Sequence, residues 1–435
     1  MIPAIRLYVL LAIAIPIALL LAMLVNQQTS IIGTLLFDCL IVGLAITDAL
    51  RVKSHRVQVT RHPLHRLSIG RDNPVLLSVR AANQTAKIRL CDSYPLEFDV
   101  SQPMLEASLN PNSEEELSYT IRPQNRGKYK WGDIQVRQLG NWGLGWNDWT
   151  IPASEKVAVY PDLVMLKELS IQLTLENTGT MRRLQKLGMG TEFAELREYG
   201  IGDDPRLIDW KATARRSRPL IRVLEPEKEQ TLIILLDRGR LMTARVQGLK
   251  RFDWGVNAAL SLALAGLNRG DRVGVGVFDR EITTWIPPER GQHQLSKLIE
   301  RLAPIQPVLL EPDYVCAVTK LVSQQTRRAL VVLITDLVDV TASTEMLSAL
   351  ARLTPRYLPF CVTLRDPQVD TIAHSYTVEI TPTYNRAVAL DLLAQRQVAF
   401  AQLKQKGVLV LDAPANQISE QLVNRYLQLK SRNQL

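Results

Sequence analysis

The sequence has little of what reactive and metal sites are built from. Of its 435 residues only four are cysteine and five histidine. Cys39, Cys91, Cys316 and Cys361 stand far apart, with no CxxC pair and no Cys-His spacing of the zinc type. That spacing speaks against a disulfide scaffold and a cysteine zinc site, and it fits a reducing compartment. His55, His62, His65, His293 and His374 form no ligand pattern, and the first three lie in a basic stretch where a solvated role suits them. There is no GxxxxGK[ST] loop to cradle phosphates, no HExxH helix and no GxSxG elbow. Gly188-Met189-Gly190 is followed by Phe193 where a dinucleotide fingerprint needs its third glycine. The chain therefore reads as non-enzymatic. Charged residues at 22%, the apolar set at 46%, 22 Gly and 23 Pro exclude a disordered tail or a repeat fibre, and the length suits two or three domains. A net charge of +9 admits nucleic acid, an anionic membrane or plain solubility as its reason, so the position of the charges decides.

A mean hydropathy of zero averages two different stretches. From Leu7 to Val25 there is no charge, a run of about 28 Å as a helix, close to the hydrocarbon thickness. No small-x-small cleavage site follows, and a second apolar run covers Ile31 to Leu50, so residues 1–50 read as a transmembrane hairpin (7–25 and 31–50) turned by Asn26–Ser30. Arg6 precedes it, and Arg51, Lys53, Arg56, Arg61, Arg66 and Arg71 follow with no acid before Asp72. Basic flanks stay on the cytoplasmic side, so the expectation is a multi-pass protein of the inner (plasma) membrane with both termini and the soluble part cytoplasmic. The basic stretch either fixes this topology or also lies on anionic lipid. Asp48, near the boundary, is expected to reach water. Asp38, about 12 Å into the span, would cost roughly 2.5–3.5 kcal/mol if ionised there. It is protonated, bonded within the hairpin, or used to bind another membrane protein.

Over 51–161 apolar residues alternate, as in Val75/Leu77/Val79, Leu96/Phe98/Val100 and Leu117/Tyr119/Ile121, with turn clusters about every ten residues. That pattern predicts an immunoglobulin-like antiparallel β-sandwich, with Trp142, Trp146 and Trp149 in a packed corner rather than a ligand cage. Over 231–435 the pattern becomes strand–helix alternation, with strands at 231–236, 272–278, 329–335, 360–364 and 407–411 and helices such as 251–267, 292–302 and 386–405. Short apolar runs separated by helices predict a doubly wound α/β domain with a parallel sheet. Its ligands would sit beyond the carboxyl ends of the strands, where Asp237, Asp279 and Asp336 fall.

The segment 162–230 is the densest in polar residues. It contains Glu192, Arg197, Tyr199, Gly202, Asp203, Arg206, Asp209 and Trp210, with bases and acids nearly balanced. Such balance argues against a nucleic-acid surface. It predicts an ion-pair network, covered by Tyr199 and Trp210, that either fixes the α/β domain against the β-sandwich or docks a partner. The string GTEFAELREYGIGDDPRLIDWKATAR (190–215), followed by Leu220-Ile221-Arg222-Val223 and a strand ending in Leu236-Asp237, resembles the signature of the bacterial family called domain of unknown function 58. The order of hairpin, β domain with Arg126-Gly127-Lys128-Tyr129, signature, and a domain with Gly270-Asp271-Arg272-Val273-Gly274 and Pro287-Pro288-Glu289-Arg290-Gly291 is similar to that family's. The resemblance implies a von Willebrand factor A-like last domain and a membrane-tethered scaffold or adaptor. The implied partners are a MoxR-type AAA+ ATPase and its client protein, in the assembly or maturation of complexes.

The resemblance also implies where a cation would bind. In an A domain Mg²⁺ is held by Asp-x-Ser-x-Ser after the first strand, a Thr, and a further Asp. Asp237 and Asp336 match the acids, but Gly239 and Leu241 stand at the hydroxyl positions and Glu311-Pro312-Asp313 stands where the Thr is expected. A hard cation wants six oxygens, and Arg238 and Arg240 would repel it, so no cofactor is expected. Asp237 then pairs with Arg238 or Arg240, or accepts from the N–H groups of its own turn. Two further readings stay open: a metal-dependent adhesion module gripping an acidic partner through Asp237 and Asp336, and an enzyme with an unrecognised site among Asp237, Asp279 and Asp336.

Overall fold

The computed structural model describes residues 2–24, 27–64, 66–184, 192–200, 203–225, 230–337, 343–375 and 380–432, the side chains of 17–24, 27–30, 174–184, 192–195, 223–225 and 380 excepted. The chain divides into two compact units, Met1–Tyr160 and Pro161–Leu435.

In the first unit two apolar helices, Ile5–Leu24 and Gln27–Arg51, precede the β-strands. Residues 27–30, expected in the turn, already belong to the second helix, whose polar QQTS start continues the helical hydrogen bonding. The stretch Ile31–Ser54 is long and apolar enough to cross a membrane. The Asp38 carboxylate has a buried Oδ1 that no described residue hydrogen-bonds. The strands form sheets of five, four and three strands. Strand Asn73–Arg80 buries every second residue, with Val75, Leu77 and Val79 fully inside, as the period of two requires. Leu96 departs from this pattern: it precedes strand Phe98–Val100 and lies 98% exposed.

Both helices are fastened to one turn of the five-stranded sheet. Residues Ile2–Pro3 pair with Gly145–Trp146, and the Ala4 N–H donates to the Leu144 carbonyl at 3.0 Å. Asp48 does not reach water. It is buried and accepts from the N–H groups of Trp142 and Leu144, both at 3.1 Å. Gly140 is required there, because a Cβ would come within 2.2 Å of Asp48 Oδ2. Beyond the helix the Asn147 amide donates to the Ala49 carbonyl at 2.9 Å.

The basic stretch is used inside this unit. The guanidinium groups of Arg51, Arg56, Arg61 and Arg66 lie over the rings of Trp142, Trp149, Trp131 and Tyr160 at 4.7, 4.8, 5.6 and 5.3 Å. Each contact contributes about 0.5–1 kcal/mol where exposed and more where desolvated. Trp142 and Trp149 are thus seats for arginines, and Trp142 stays 43% exposed. Arg61 is the deepest of the set. It pairs with Asp92 and donates to the carbonyls of Ala153 (2.7 Å) and Gly132 (2.9 Å), while Tyr119 and Trp131 donate to the same carboxylate at 2.7 and 3.2 Å.

In the second unit the main sheet runs Ile282–Glu289, Arg272–Phe278, Thr231–Asp237, Leu330–Thr335, Leu358–Arg365, Leu409–Pro414. The last five are parallel to one another and the first is antiparallel, so the sheet is mixed where a purely parallel one was expected. Pro287 and Pro288 hid this strand in the sequence; they are tolerated because it is an edge. Helices cover both faces. Ile233 and Leu235 pack with Val318 and Leu321, Leu347 and Leu350, and Phe400 and Leu403, from three helices on one side. On the other side helix Arg251–Asn268 lies so close that Cβ atoms at Gly255 and Gly266 would touch Leu236 and Leu232. The final helix is held by Asp271, which accepts from Tyr426, Lys430 and the Gln230 N–H.

Removing one partner of a buried ion pair costs about 3–5 kcal/mol, because the other charge is left unpaired. Arg61→Ala is therefore expected to lower stability by that order and Arg51→Ala by less than about 1 kcal/mol. Denaturant unfolding of the detergent-solubilised chain, followed by tryptophan fluorescence, reads both; equal effects would contradict the structural role given to Arg61.

Candidate functional site

The strand order reverses between Thr231–Asp237 and Leu330–Thr335, whose connections leave toward opposite sides, the place where such sheets usually receive ligands beyond their carboxyl ends. Asp237, Asp279 and Asp336 stand there. Asp237 is fully buried. Its Oδ1 accepts from the Gly239 N–H at 2.6 Å, and its Oδ2 accepts from the Thr335 hydroxyl at 2.7 Å and the Tyr314 hydroxyl at 3.1 Å. Of the arrangements open to Asp237, the turn's own N–H is the one adopted. Burial pushes its carboxyl up to about 6, against the lowering by the hydrogen bonds from Thr335, Gly239 and Tyr314. Arg238 instead grips Asp279 Oδ2 through Nε and Nη2 at 2.8 and 2.6 Å, and Arg240 pairs with Glu311 at 3.0 Å.

Asp336 lies between two arginines from helices on opposite faces of the sheet. Oδ2 is 2.7 Å from Nη1 of Arg251, and Oδ1 is 2.9 Å from Nη1 of Arg396 and 2.8 Å from the Leu337 N–H. Arg396 continues to Asp412 at 2.8 Å, and Arg365 bridges Asp412 and Asp370 at 3.3 and 3.0 Å. The strand ends are lined by an alternating chain of guanidinium and carboxylate groups. Arg251, Arg396, Asp412, Tyr314 and Thr335 escaped the sequence reading. Arg396 had a signal: it sits on the buried stripe of its helix with Ala389, Ala399, Phe400 and Leu403, where a lone arginine needs an acid.

A divalent cation does not fit these residues. Both oxygens of Asp336 face guanidinium groups, and Asp313 caps helix Tyr314–Gln324 through the Cys316 N–H at 2.7 Å. At Gly239 a Cβ would meet Pro312 Cδ at 2.8 Å and the Leu310 carbonyl at 2.9 Å, so the missing hydroxyl has no room. Among the described residues no group of three potential ligands converges.

The polar segment folds as its own motif. Strands Glu192–Glu198 and Leu220–Glu225 form a hairpin, closed by a turn at Pro205–Leu207 and helix Trp210–Arg216. Asp203 accepts from the Gly200 N–H (2.8 Å) and pairs with Arg197 (2.7 Å), and both hold its carboxyl below the usual range. Asp209 pairs with Arg222 (2.6 Å) and caps the helix through the N–H groups of Lys211 and Ala212. Asp204 accepts from the Arg206 N–H at 2.9 Å, so the part of Arg206 in this turn is its backbone. Each of these pairs has both partners inside the segment. Tyr199 is half-buried and donates its N–H to the Pro219 carbonyl at 2.9 Å, whereas Trp210 is 70% exposed and covers no pair. Gly202 and the side chain of Glu192 lie outside the described residues, as do Gly188-Met189-Gly190.

The raised carboxyl of Asp237 sets a sign for pH dependence. Its folded value, about 6, lies above its ordinary 3.8, so the folded state takes up this proton first as pH falls. The associated stability, about 3 kcal/mol, is fully present below about pH 3.8 and is lost as pH rises through about 6. Asp237→Asn is expected to flatten the change in unfolding free energy between pH 4 and pH 7 by about that amount. Parallel curves for the two proteins would contradict the assignment.

Comparison with known proteins adds the family. Uncharacterized proteins of Mycobacterium tuberculosis and Mycobacterium bovis are 26% identical over 151 residues, 34% of this chain. The chain spans 48% of those relatives' length. Among solved structures, BatB of Bacteroides thetaiotaomicron aligns at 14% identity over 46% of this chain and 99% of its own, with a TM-score of 0.32. A non-cellulosomal cohesin of Archaeoglobus fulgidus aligns at 13% identity over 24% and 90%, with a TM-score of 0.18. Residues 195–403, from the signature hairpin to the last helix before the final strand, match the family described as protein of unknown function DUF58.

Proposed function

We propose that this chain is a membrane-anchored, non-enzymatic scaffold or adaptor that binds protein partners at the cytoplasmic face. One observation carries the reading. At the strand ends, where such sheets receive ligands, Asp237, Asp279, Asp336 and Asp412 are all engaged by the protein's own donors, while Trp210, Leu309 and Leu310 stand exposed at 70%, 78% and 37%. Carboxylates engaged in this way support a structural role for the strand ends, and exposed large apolar groups, tryptophan above all, are what protein partners bury.

In this reading the β unit is an immunoglobulin-like sandwich and the α/β unit, with its antiparallel edge, a von Willebrand factor A-like domain. Both apolar helices span the inner membrane, with Arg6 and the basic stretch after the second helix keeping both ends cytoplasmic. The partners are a MoxR-type AAA+ ATPase, as the signature's resemblance implies, and its client in the assembly or maturation of complexes. No metal and no nucleic acid takes part.

The test is affinity capture of the full-length chain from solubilised membranes, in ATP and in nucleotide-free buffer, with recovered proteins identified by mass spectrometry. An AAA+ ATPase is expected in at least one condition, reduced roughly tenfold or more by Trp210→Ala if that residue is a central anchor. Absence of any AAA+ protein in both buffers would overturn the reading.

A further inference from the structure

A cavity of about 590 Å³ opens on the outer face of the five-stranded sheet, at the root of the first apolar helix. Residues 2–6 wall one side. Strand residues Lys87, Arg89, Arg137 and Trp146 wall the other. Strand pairing explains the gathering of charge. Arg137 stands opposite Arg89, and Lys87 lies two residues from Arg89, on the same face. With Arg6 there are four basic side chains, and among the described lining residues none is acidic. Two neighbouring acids balance part of this charge: Glu106 forms an ion pair with Arg89 at 2.8 Å, and Asp148 stands opposite Arg137 on the other flank. Arg89 also lies over the Trp146 ring at 4.8 Å, and because like charges directly across a strand pair are destabilising, an anion between Arg89 and Arg137 would relieve their repulsion. The cavity is large enough for a phosphate ester, and Asn110 and Asn141 add amides to its lining.

The wall of the cavity continues into apolar surface. From Ile5 upward, Ile5, Val9 and Ile13 recur at helical spacing on one stripe and are 82%, 53% and 46% exposed. A basic hollow for a headgroup thus stands at the foot of an apolar strip for acyl chains. This combination favours a lipid over a soluble phosphate ester, which has no use for the strip. We propose that the cavity is a specific site for an anionic phospholipid. Its phosphate lies among Arg6, Lys87, Arg89 and Arg137, and its chains lie along Ile5, Val9 and Ile13. The inference rests on the membrane-anchored reading.

The full-length chain, first shown to resist carbonate extraction from membranes, is exchanged into detergent micelles holding equal amounts of phosphatidylglycerol and phosphatidylcholine. Retained lipid is counted by native mass spectrometry. Wild type is expected to keep phosphatidylglycerol in preference, and the exposed double change Lys87→Ala/Arg137→Ala to weaken that preference by about fivefold per cation removed. An excess of inorganic phosphate is expected to leave the lipid in place. A chain that resists carbonate yet retains both lipids equally, or a double variant with unchanged preference, overturns the site while sparing the anchor. Displacement by inorganic phosphate overturns the lipid and assigns the cavity to a soluble phosphate. Release by carbonate overturns the anchor, and the site with it.

Discussion

The Asp336 carboxylate, held between Arg251 and Arg396 where the strand order reverses, decides what the α/β unit can do. Ionised groups taken from water need partners nearby, and the two arginines come from helices on opposite faces of the sheet. The same contact that neutralises the charge therefore ties both helical layers to the strand ends. Arg396 extends the tie to Asp412 and the last strand, and Arg365 extends it again. The place that parallel sheets usually offer to ligands has become a seam. At Gly239, in the turn after the neighbouring strand, Pro312 and the Leu310 carbonyl leave no room for a side chain.

The first unit follows the same logic with aromatic rings added. Asp92 is satisfied by Arg61, Tyr119 and Trp131, and Asp48 by two N–H groups of the turn that also receives the N-terminal strand. Arg51, which ends the second helix, and Arg56, Arg61 and Arg66, at five-residue intervals after it, each meet an aromatic face. These four arginines, which could have signalled lipid or nucleic acid, accordingly make contacts inside the first unit. The basic groups lining the cavity beside Arg6 come from strands farther along the chain.

What could be read from the sequence divides along physical lines. Hydrophobic period carried well: strand Arg272–Phe278 and helix Gln292–Leu302 lie where their patterns predict, and the apolar run after Ile31 is a continuous helix. Edge and turn features carried poorly. Strand Ile282–Glu289 was masked by its prolines, and residues 27–30 were taken into a helix despite their polarity. The carboxylates of the site were legible as positions, because they end apolar strands. Their partners were less so: Arg251 and Tyr314 reach the site from distant helices with nothing local to mark them, and only Arg396, on the buried stripe of its helix, carried a signal. Asp48 failed for a related reason: its proximity to the membrane boundary suggested water, while the acceptor it offers is used by a turn some ninety residues away.

The central claim is that the carboxyl ends of the parallel strands are occupied by the protein's own cations and work as structure, leaving function to the exposed surface. Isothermal titration of the full-length chain with Mg²⁺ tests it most directly. The account expects no saturable heat at submillimolar Mg²⁺, because a cation entering at Asp336 would have to displace an arginine. Saturable binding in that range, abolished by Asp336→Ala, would contradict it.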